Sequence, residues 1–410
     1  MNSDPSGDLS RDLRRILGIQ AVRAFLYGFG AVILGASLAA SGASDLAVGL
    51  LGAAILAGMA ISAITVGILG DRWGRRRTYG GLLLLMGLVG AAYAATDKLW
   101  ILILLALLGV LSTDANENGP LTTLEQAMIG QAPAETRLRV FGRYNAVAYL
   151  AGAFGALLAG GPAFVHRFWS GTPTGRAWFL LFPIGAGICL WLAAGLSAEL
   201  ETEVARSRIP LDRSRATVTK LSSLFAVDAF AGGFVITVFI VYWFSKTFGA
   251  SQELMSSVIF AAGLLQAASS VLAPRIAARA GMLNTMVFTH LPSNILLILV
   301  PFMPTLGSAI AVLLGRFALS QMDVPARQTY LAAIAGADHR AQAAAVTNAA
   351  RTAARPLGAP LAGAGVGTSV PGLPFFIAGG LKSVYDIVLY IWFRRVPVPD
   401  IQDRAKEREK

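Results

Sequence analysis

Long apolar runs separated by short polar segments dominate the chain. One helical crossing of a bilayer needs about 20 mostly apolar residues, and each run is close to that length or longer. Six runs come before position 199 and six come after position 220. The pattern predicts an all-α membrane protein with 12 transmembrane helices in two pseudo-symmetric six-helix bundles. The runs lie at Ile16 to about Ala40, 46–70, 79–96, 99–130, 140–163, 177–198, 221–246, 252–274, 284–304, 307–335, 342–368 and 373–393.

The one long polar stretch in the middle of the chain divides it. We predict an N-terminal bundle over residues 1–198, a cytoplasmic linker over 199–220, and a C-terminal bundle with a charged cytoplasmic tail over 221–410. The first run exceeds the 7–15 apolar residues typical of a signal peptide and contains Arg23, so we interpret it as a membrane span. The run 99–130 is too long for one straight span, and its Gly119-Pro120 pair predicts a kink or a cytoplasmic extension.

Composition excludes a soluble enzyme and a disordered protein. The chain has 410 residues, is 55% hydrophobic and only 14% charged, and has a mean hydropathy of +0.62, whereas soluble domains carry about 25% charged residues. Cys189 is the single cysteine and the three histidines are far apart, so the sequence predicts no disulfide and no metal site. No Gly-x-x-x-x-Gly-Lys-Ser/Thr phosphate loop is present, and we expect no cofactor.

The basic residues predict the orientation. The net charge of +11 would suggest nucleic acid in a soluble protein, but in a membrane protein basic residues gather in cytoplasmic loops. With both termini in the cytoplasm, the cytoplasmic segments hold 24 Lys and Arg, the external segments hold four, and six lie within spans. We therefore predict a multi-pass protein of the inner (plasma) membrane with both termini cytoplasmic and no nucleic-acid partner.

The two halves resemble each other. At a shift of 203 positions, Asn145 matches Asn348 and Leu158-Ala159-Gly160 matches Leu361-Ala362-Gly363. The same shift aligns Glu135 with Asp338, Arg137 with Arg340 and Gly155 with Gly358. Gly70–Gly74 matches Ala277–Gly281 at a shift of 207, and Glu125-Gln126 matches Arg327-Gln328 at 202. Two parallel repeats are a transporter architecture whose substrate site lies between the halves near the midplane.

The loop after the second span carries the most specific motif, G-I-L-G-D-R-W-G-R-R-R at Gly67–Arg77. It resembles the loop signature of the major facilitator superfamily, and the second half keeps a degraded copy around Arg279 and Gly281. The resemblance implies a secondary transporter in which two halves rock, with Asp71 and Arg75 latching the cytoplasmic side. A purely orienting positive loop is the alternative. The gate residues implied are Gly67, Asp71, Arg72, Gly74 and Arg75.

Two further stretches bear on the type of transporter. The Gly-rich span-five stretch Gly152–Pro162 resembles an antiporter signature but ends in Gly-Gly-Pro, and close helix packing explains it equally well. The strip Asp323–Tyr330, the loop at 337–340 and Asn348–Arg351 resemble bacterial members of the superfamily that are described as efflux carriers. No substrate follows from either stretch.

Charged side chains inside spans are costly and point to function. Asp114 and Glu117 in span four are three positions apart, which predicts a shared helix face. They are our first candidates for proton coupling, and Asp323 in span ten is the next. The candidates for the substrate cavity are Arg23, Tyr27, Asn116, Arg316 and Arg351.

Other embedded charges have competing interpretations. Glu125 and Arg143 are either interfacial or, with Arg327 and Arg351, part of a cytoplasmic gate. Two (i, i+4) pairs, Asp323 with Arg327 and Lys382 with Asp386, are expected to be structural salt bridges. His290, which precedes Pro292, is also expected to be structural.

The sequence therefore favours proton-coupled export of a small organic solute or drug by alternating access. Uptake or exchange of an anionic metabolite is the alternative within the class, because Arg23, Arg316, Arg351 and Arg355 are suited to an anion. A transport-inactive receptor or scaffold is the alternative of another class. The expected partners are a small-molecule solute, protons and membrane lipid, and the expected state is a monomer.

Overall fold

The computed structural model describes residues 5–114, 119–130, 134–173, 175–197, 200, 215–335, 340–366, 370 and 372–396. These residues form helices and connecting turns, with no β-strand among them. The first half contains α1 (Pro5–Ala40), α2 (Asp45–Trp73), α3 (Arg75–Ala95), α4 (Leu99–Ala106), α5 (Pro120–Ile129), α6 (Ala134–Leu158), α7 (Gly161–His166) and α8 (Leu181–Ala194). The second half contains α9 (Arg215–Gly233), α10 (Thr237–Phe248), α11 (Gln252–Ala280), α12 (Met282–Leu299), α13 (Leu306–Leu319), α14 (Asp323–Ala335), α15 (Arg340–Ala354), α16 (Gly358–Val366) and α17 (Leu373–Phe393).

Within the described part of the chain, ten helical segments are long and apolar enough to cross a membrane. They coincide with ten of the twelve runs. The other two runs, 99–130 and 342–368, contain shorter helices: α4 and α5 in the first, α15 and α16 in the second. The all-helical membrane fold is thus confirmed. In the first of these runs non-helical backbone follows α4, and in the second a 3-10 turn joins α15 to α16.

Span four is broken rather than kinked. Helix α4 ends at Ala106, and α5 begins at Pro120, which suits a first helical position because its missing N–H would have no partner there. In between, Gly109 has φ +73° and its Cα lies against the backbone of Gly58, so a side chain is excluded there. Asp114 therefore lies outside both helices. Glu117 lies outside the described residues, so the prediction that the two share a helix face stays a prediction.

The corresponding span of the second half is also interrupted. Helix α13 ends at Leu319, and Asp323 opens α14. A carboxylate in the first turn of a helix is favoured by the partial positive charge of the free N–H groups. A break also separates α9 from α10, so spans four, seven and ten are each interrupted by non-helical backbone. In contrast, a 3-10 turn at Arg355–Leu357 joins α15 directly to α16.

The predicted repeat has a counterpart in backbone geometry. Gly74 joins α2 to α3 with φ +84° and ψ 124°, and Gly281 joins α11 to α12 with φ +86° and ψ 155°. A residue with a Cβ is strained at these angles, which explains glycine at both positions. The degraded copy of the motif in the second half thus forms a similar turn.

The chain separates into two compact units. The first comprises Met1–Ala205, Val235–Leu264 and Ala359–Pro371, and the second comprises Arg206–Phe234, Leu265–Gly358 and Gly372–Lys410. These units cross the predicted bundle boundaries, because 235–264 and 359–371 cluster with the first half. The division into bundles 1–198 and 221–410 stays a prediction.

Large apolar side chains are exposed along many helices, as expected of a surface covered by lipid. Examples are Leu88 on α3, Trp191 on α8 and Trp392 on α17, each with more than half of its surface exposed. The interiors of the units hold aliphatic side chains together with buried aromatic and polar ones, among them the fully buried Tyr79, Tyr144 and Phe225.

Candidate functional site

A carboxylate lies completely buried in the first unit, surrounded by donors. Glu125 on α5 has no exposed surface. Its Oε2 accepts from Arg23 Nη2 at 2.5 Å and from Tyr144 at 2.5 Å, and its Oε1 accepts from Tyr79 at 2.5 Å. We call these four residues the Glu125 cluster. Both carboxylate oxygens are satisfied and the ion pair is neutral, which offsets much of the cost of burying two charges.

Arg23 makes further contacts that hold it against α5. Its Nη2 also lies 2.6 Å from Gln20 Oε1 and 3.4 Å from Thr122 Oγ1. Tyr27, one turn along α1, donates its hydroxyl to the carbonyl oxygen of Val110 at 3.0 Å in the broken part of span four. A cavity of about 10 Å³ borders Arg23 and Tyr27, which is room for about one water molecule. Arg23 and Glu125 were predicted in different roles, and the structure brings them together.

The second unit holds a larger cluster around Asp228 on α9. The Asp228 carboxylate lies 2.5 Å from Lys382 Nζ, 3.1 Å from Arg351 Nη1 and 3.4 Å from Arg327 Nη1. These cations come from α17, α15 and α14, so Asp228 ties four helices together. Arg327 also donates to Asp323 at 3.0 Å, as the sequence predicted for this (i, i+4) pair.

A histidine–aspartate pair adjoins the Asp228 carboxylate. His290 Nδ1 on α12 lies 3.0 and 3.1 Å from the two carboxylate oxygens of Asp386 on α17. Asn294 Nδ2 donates to the same carboxylate at 2.8 Å. The other ring nitrogen of His290, Nε2, is 4.0 Å from Asp228 Oδ1. We call Asp228, Lys382, Arg351, Arg327, Asp323, His290, Asp386 and Asn294 the Asp228 cluster.

The predicted bridge between Lys382 and Asp386 was wrong. The two residues share one face of α17, but Lys382 reaches Asp228 on α9 and Asp386 reaches His290 on α12. A buried charge binds the partner that tertiary packing supplies, and spacing along one helix cannot reveal a partner on another. His290, expected to be structural, is in contact with the carboxylate of Asp386, and its structural role stays a prediction.

The two clusters occupy related positions with reversed charge. Arg23 of span one pairs with Glu125 of span four, and Asp228 of span seven pairs with Arg327 of span ten. Asp228 comes 205 positions after Arg23 and Arg327 comes 202 after Glu125, close to the shifts of the repeat. The repeat is thus the sequence signal that identifies Asp228 in span seven.

The side chain of Asp114 accepts a hydrogen bond from the start of α10. Its Oδ1 accepts from Thr237 Oγ1 at 2.7 Å, at the start of α10 and within the same unit. Its backbone N–H donates to Ser112 Oγ at 3.1 Å, which stabilises the turn. Asp114 is half-buried. Asn116 and Glu117 lie outside the described residues, so their predicted roles stay predictions.

Close backbone contacts in the first unit join helices from both halves of the sequence. Gly49 of α2 lies against Gly363 of α16, and Gly35 of α1 lies against Val238 of α10. Small residues allow helices to approach this closely inside a membrane. Asp45, at the start of α2, accepts from Tyr242 at 2.8 Å and from Lys246 at 2.6 Å. We call the two glycine contacts, Gly49 with Gly363 and Gly35 with Val238, the glycine seam.

The predicted gate residues are only partly described. Arg75 is buried, whereas Arg72 and Arg143 are exposed and Gly67 is half-buried. The side chain of Asp71 lies outside the described residues, so the latch between Asp71 and Arg75 stays a prediction. The substrate candidate Arg316 is half-buried with its guanidinium over the Phe317 ring at 4.8 Å.

The Gly-rich stretch of span five packs against span one. A Cβ at Gly155 would overlap the carbonyl oxygen of Phe25, and Gly28 meets the carbonyl oxygen of Gly152 in the same way. These contacts support the packing interpretation of the stretch. It therefore carries no evidence about the direction of transport.

Several cluster members were not singled out from the sequence. Tyr79, His290, Asp386 and Lys382 were missed as site residues, because a lone polar side chain in an apolar run does not reveal its partner. Asp228 alone had a further signal, the repeat.

Comparison with protein-family models matches residues 17–322 to the Major Facilitator Superfamily. Among curated proteins, an uncharacterized membrane protein of Saccharomyces cerevisiae is 27% identical over 430 residues and is matched over 94% of both chains.

Solved structures share the fold at low sequence identity. The inward-open xylose transporter of E. coli has a TM-score of 0.70 at 16% identity, with 95% of this chain and 97% of that chain covered. A crystal structure of a D-xylose–proton symporter gives 0.68 at 18% identity, covering 94% and 98%. A nucleoside transporter gives 0.69 at 12% identity, covering 93% and 99%.

Proposed function

The chain belongs to the Major Facilitator Superfamily and is a membrane transporter rather than an enzyme, and from that premise we propose that it exports a small organic solute coupled to protons. The observation that carries the coupling is the Asp228 cluster, in which carboxylates, cations and a histidine contact one another inside apolar spans. Ionisable groups at such depth are expensive and mark substrate or proton pathways. Asp114, Glu117 and Asp323 remain our first candidates for the proton carriers.

We propose alternating access between the bundles 1–198 and 221–410, with 199–220 as the linker. The similar turns at Gly74 and Gly281 support a repeat, which is the usual basis of rocking. The glycine seam supports a contact that opens during the cycle, because small residues bring α2 close to α16 and α1 close to α10. In this proposal Asp71 and Arg75, with Glu125, Arg143 and Arg327, belong to the cytoplasmic gate.

We place the protein in the inner (plasma) membrane with both termini cytoplasmic. The distribution of 24 cytoplasmic and four external basic residues supports this orientation. The glycine seam then lies at the external side, and the turns at Gly74 and Gly281 lie at the cytoplasmic side. We expect the transporter to be a monomer, and we expect it to export its solute.

A second candidate is uptake or exchange of an anionic metabolite. The observation that favours it is the convergence of Lys382, Arg351 and Arg327 on one carboxylate. Guanidinium groups bind carboxylates and phosphates with paired hydrogen bonds.

Transport in reconstituted vesicles tests the proposal. A thermal-shift screen on the purified protein first selects solutes, because a ligand raises the stability of the state that it binds. Each selected solute is then followed across proteoliposomes under an imposed pH gradient, with a pH dye inside. We expect solute flux to follow the gradient and to reverse when the gradient is reversed. Absence of flux for every solute that binds would support a receptor.

The variant Asp114→Asn assigns the carrier. We expect gradient-driven flux to fall to near background, because the amide cannot carry a proton. Asp97→Asn is the matched control, since the side chain of Asp97 is 93% exposed. If proton-coupled flux is unchanged in Asp114→Asn, a residue other than Asp114 carries the proton.

A further inference from the structure

Asp386 binds Nδ1 of the His290 ring, which leaves Nε2 available to accept a proton. An ionised carboxylate only accepts hydrogen bonds, and both oxygens of Asp386 lie within 3.1 Å of Nδ1. Nδ1 therefore carries the ring hydrogen when Asp386 is ionised. Nε2 is then the unprotonated nitrogen, and at 4.0 Å it does not yet hydrogen-bond to Asp228. A proton arriving at Nε2 gives a cation facing the Asp228 carboxylate.

The groups around His290 come from several helices. Helix α9 presents Asp228, and α17 presents Asp386, Lys382 and the Tyr385 ring, whose centre lies 6.1 Å from the imidazole. Helix α14 presents Asp323 and Arg327, α15 presents Arg351, and α12 itself presents Asn294. On α13, Arg316 receives a bond from Ser293 at its backbone oxygen, and its guanidinium lies over Phe317.

The charges of the Asp228 cluster cancel only while His290 is neutral. Three carboxylates, Asp228, Asp323 and Asp386, face three cations, Lys382, Arg327 and Arg351. A proton on His290 leaves one net positive charge in an apolar setting, which is costly without a counter-anion.

Asp228 already faces three cations. A fourth positive charge, at Nε2 of His290, repels these cations and weakens the net attraction that holds each of them to the carboxylate. Arg351 is the most exposed of the three, with 27% of its side chain accessible, against 11% for Arg327 and 9% for Lys382. Arg351 can leave Asp228 at the smallest cost, because its side chain is already partly hydrated. Its guanidinium group remains able to bind another anion.

We propose that protonation of His290 at Nε2 displaces Arg351 from Asp228, and that Arg351 then binds a small organic monocarboxylate, so that proton and anion bind together. One proton balances one negative charge, which favours a monocarboxylate over a phosphate of higher charge. The inference rests on the proposed proton coupling. It names the class of solute and holds for either direction of net transport.

Binding with simultaneous proton uptake is the direct test. The full chain, purified in detergent, is titrated with lactate, pyruvate and benzoate in weakly buffered solution containing a pH dye. We expect proton uptake of at most one proton for each anion bound. We also expect a Kd that rises with pH, because one proton is linked to one anion.

Three variants assign the roles. His290→Gln keeps a donor for Asp386 but cannot take the proton, so anion binding should lose both its pH dependence and its proton uptake. Arg351→Gln should weaken binding by about tenfold or more, and Arg351→Lys should restore part of it. His166→Gln is the matched control, because His166 is exposed and its Nδ1 lies 2.9 Å from the backbone oxygen of Thr172, away from the Asp228 cluster.

The outcomes separate this inference from the proposed function. No binding of any of the three anions, or binding without proton uptake, overturns the inference. So does proton uptake that persists in a folded His290→Gln variant, for which thermal melting reports folding. Gradient-driven flux of an uncharged solute without carboxylate binding keeps the proposed function and rejects the inference. Proton-linked carboxylate binding without flux supports the inference and rejects the proposed function.

Discussion

At the scale of single residues, Glu125 shows how a charge is accommodated in an apolar unit. Its carboxylate is fully buried and bound by Arg23, Tyr79 and Tyr144, which lie on three different helices. Removing one member of such a pair costs more than the pair contributes, because the remaining charge stays buried without compensation.

Glu125→Gln should therefore destabilise the protein strongly. The amide keeps the size of the side chain but leaves the Arg23 cation unpaired, at a cost of about 3–5 kcal/mol. Thermal melting in detergent measures the effect. Glu253→Gln is the matched control with an effect below about 1 kcal/mol, since its partner Arg167 is 61% exposed.

The double variant Arg23→Gln with Glu125→Gln separates charge from packing. Because neither charge remains, we expect it to recover much of the lost stability. A Glu125→Gln variant that melts like the Glu253→Gln control, yet loses proton-driven flux, would contradict a structural role and make Glu125 a coupling residue.

At the scale of elements, hydropathy predicted where the spans lie but not where they break. The run 99–130 gave one expected helix, and the structure has α4, a non-helical segment and α5. Gly119-Pro120 indicated an interruption, but its extent depends on the contact between Gly109 and Gly58. Such a contact between two spans leaves no periodic signal in either one.

The turn of the loop motif gives a prediction at this scale. Gly74→Ala should cost about 1–3 kcal/mol, because its φ of +84° is strained for a residue with a Cβ. Gly67→Ala is the matched control in the same motif: it lies inside α2, and an added Cβ has no neighbour within 4 Å. Alanine there should be neutral or slightly stabilising.

The melting temperatures of the two variants show whether the loss of stability comes from the backbone geometry of the turn or from the added methyl group. Gly281→Ala should resemble Gly74→Ala, since its φ is +86°. Equal melting of Gly74→Ala and Gly67→Ala would show that the turn adapts to a side chain without strain.

At the scale of the whole molecule, the orientation rests on the basic residues. Cys189 is the single cysteine and is fully buried, so a new cysteine can be labelled over little background. Ser170→Cys, between spans five and six, should react with a membrane-impermeant maleimide in intact cells. Ser207→Cys, in the predicted linker, should react only after permeabilisation. Labelling in the opposite order would invert the predicted orientation.

The sequence by itself determined the lipid environment, the positions of the spans and the repeat, and its loop motif resembled the family that the comparisons then established. These properties depend on composition, local hydropathy and spacing, which can be read directly from the order of residues in the chain. Only the tertiary structure decided the partners of the buried charges: Arg23 with Glu125, Lys382 with Asp228, and His290 with Asp386. The physical reason is that a buried charge needs a counter-charge within a few ångströms, and helix packing supplies it from positions 96 to 154 residues away.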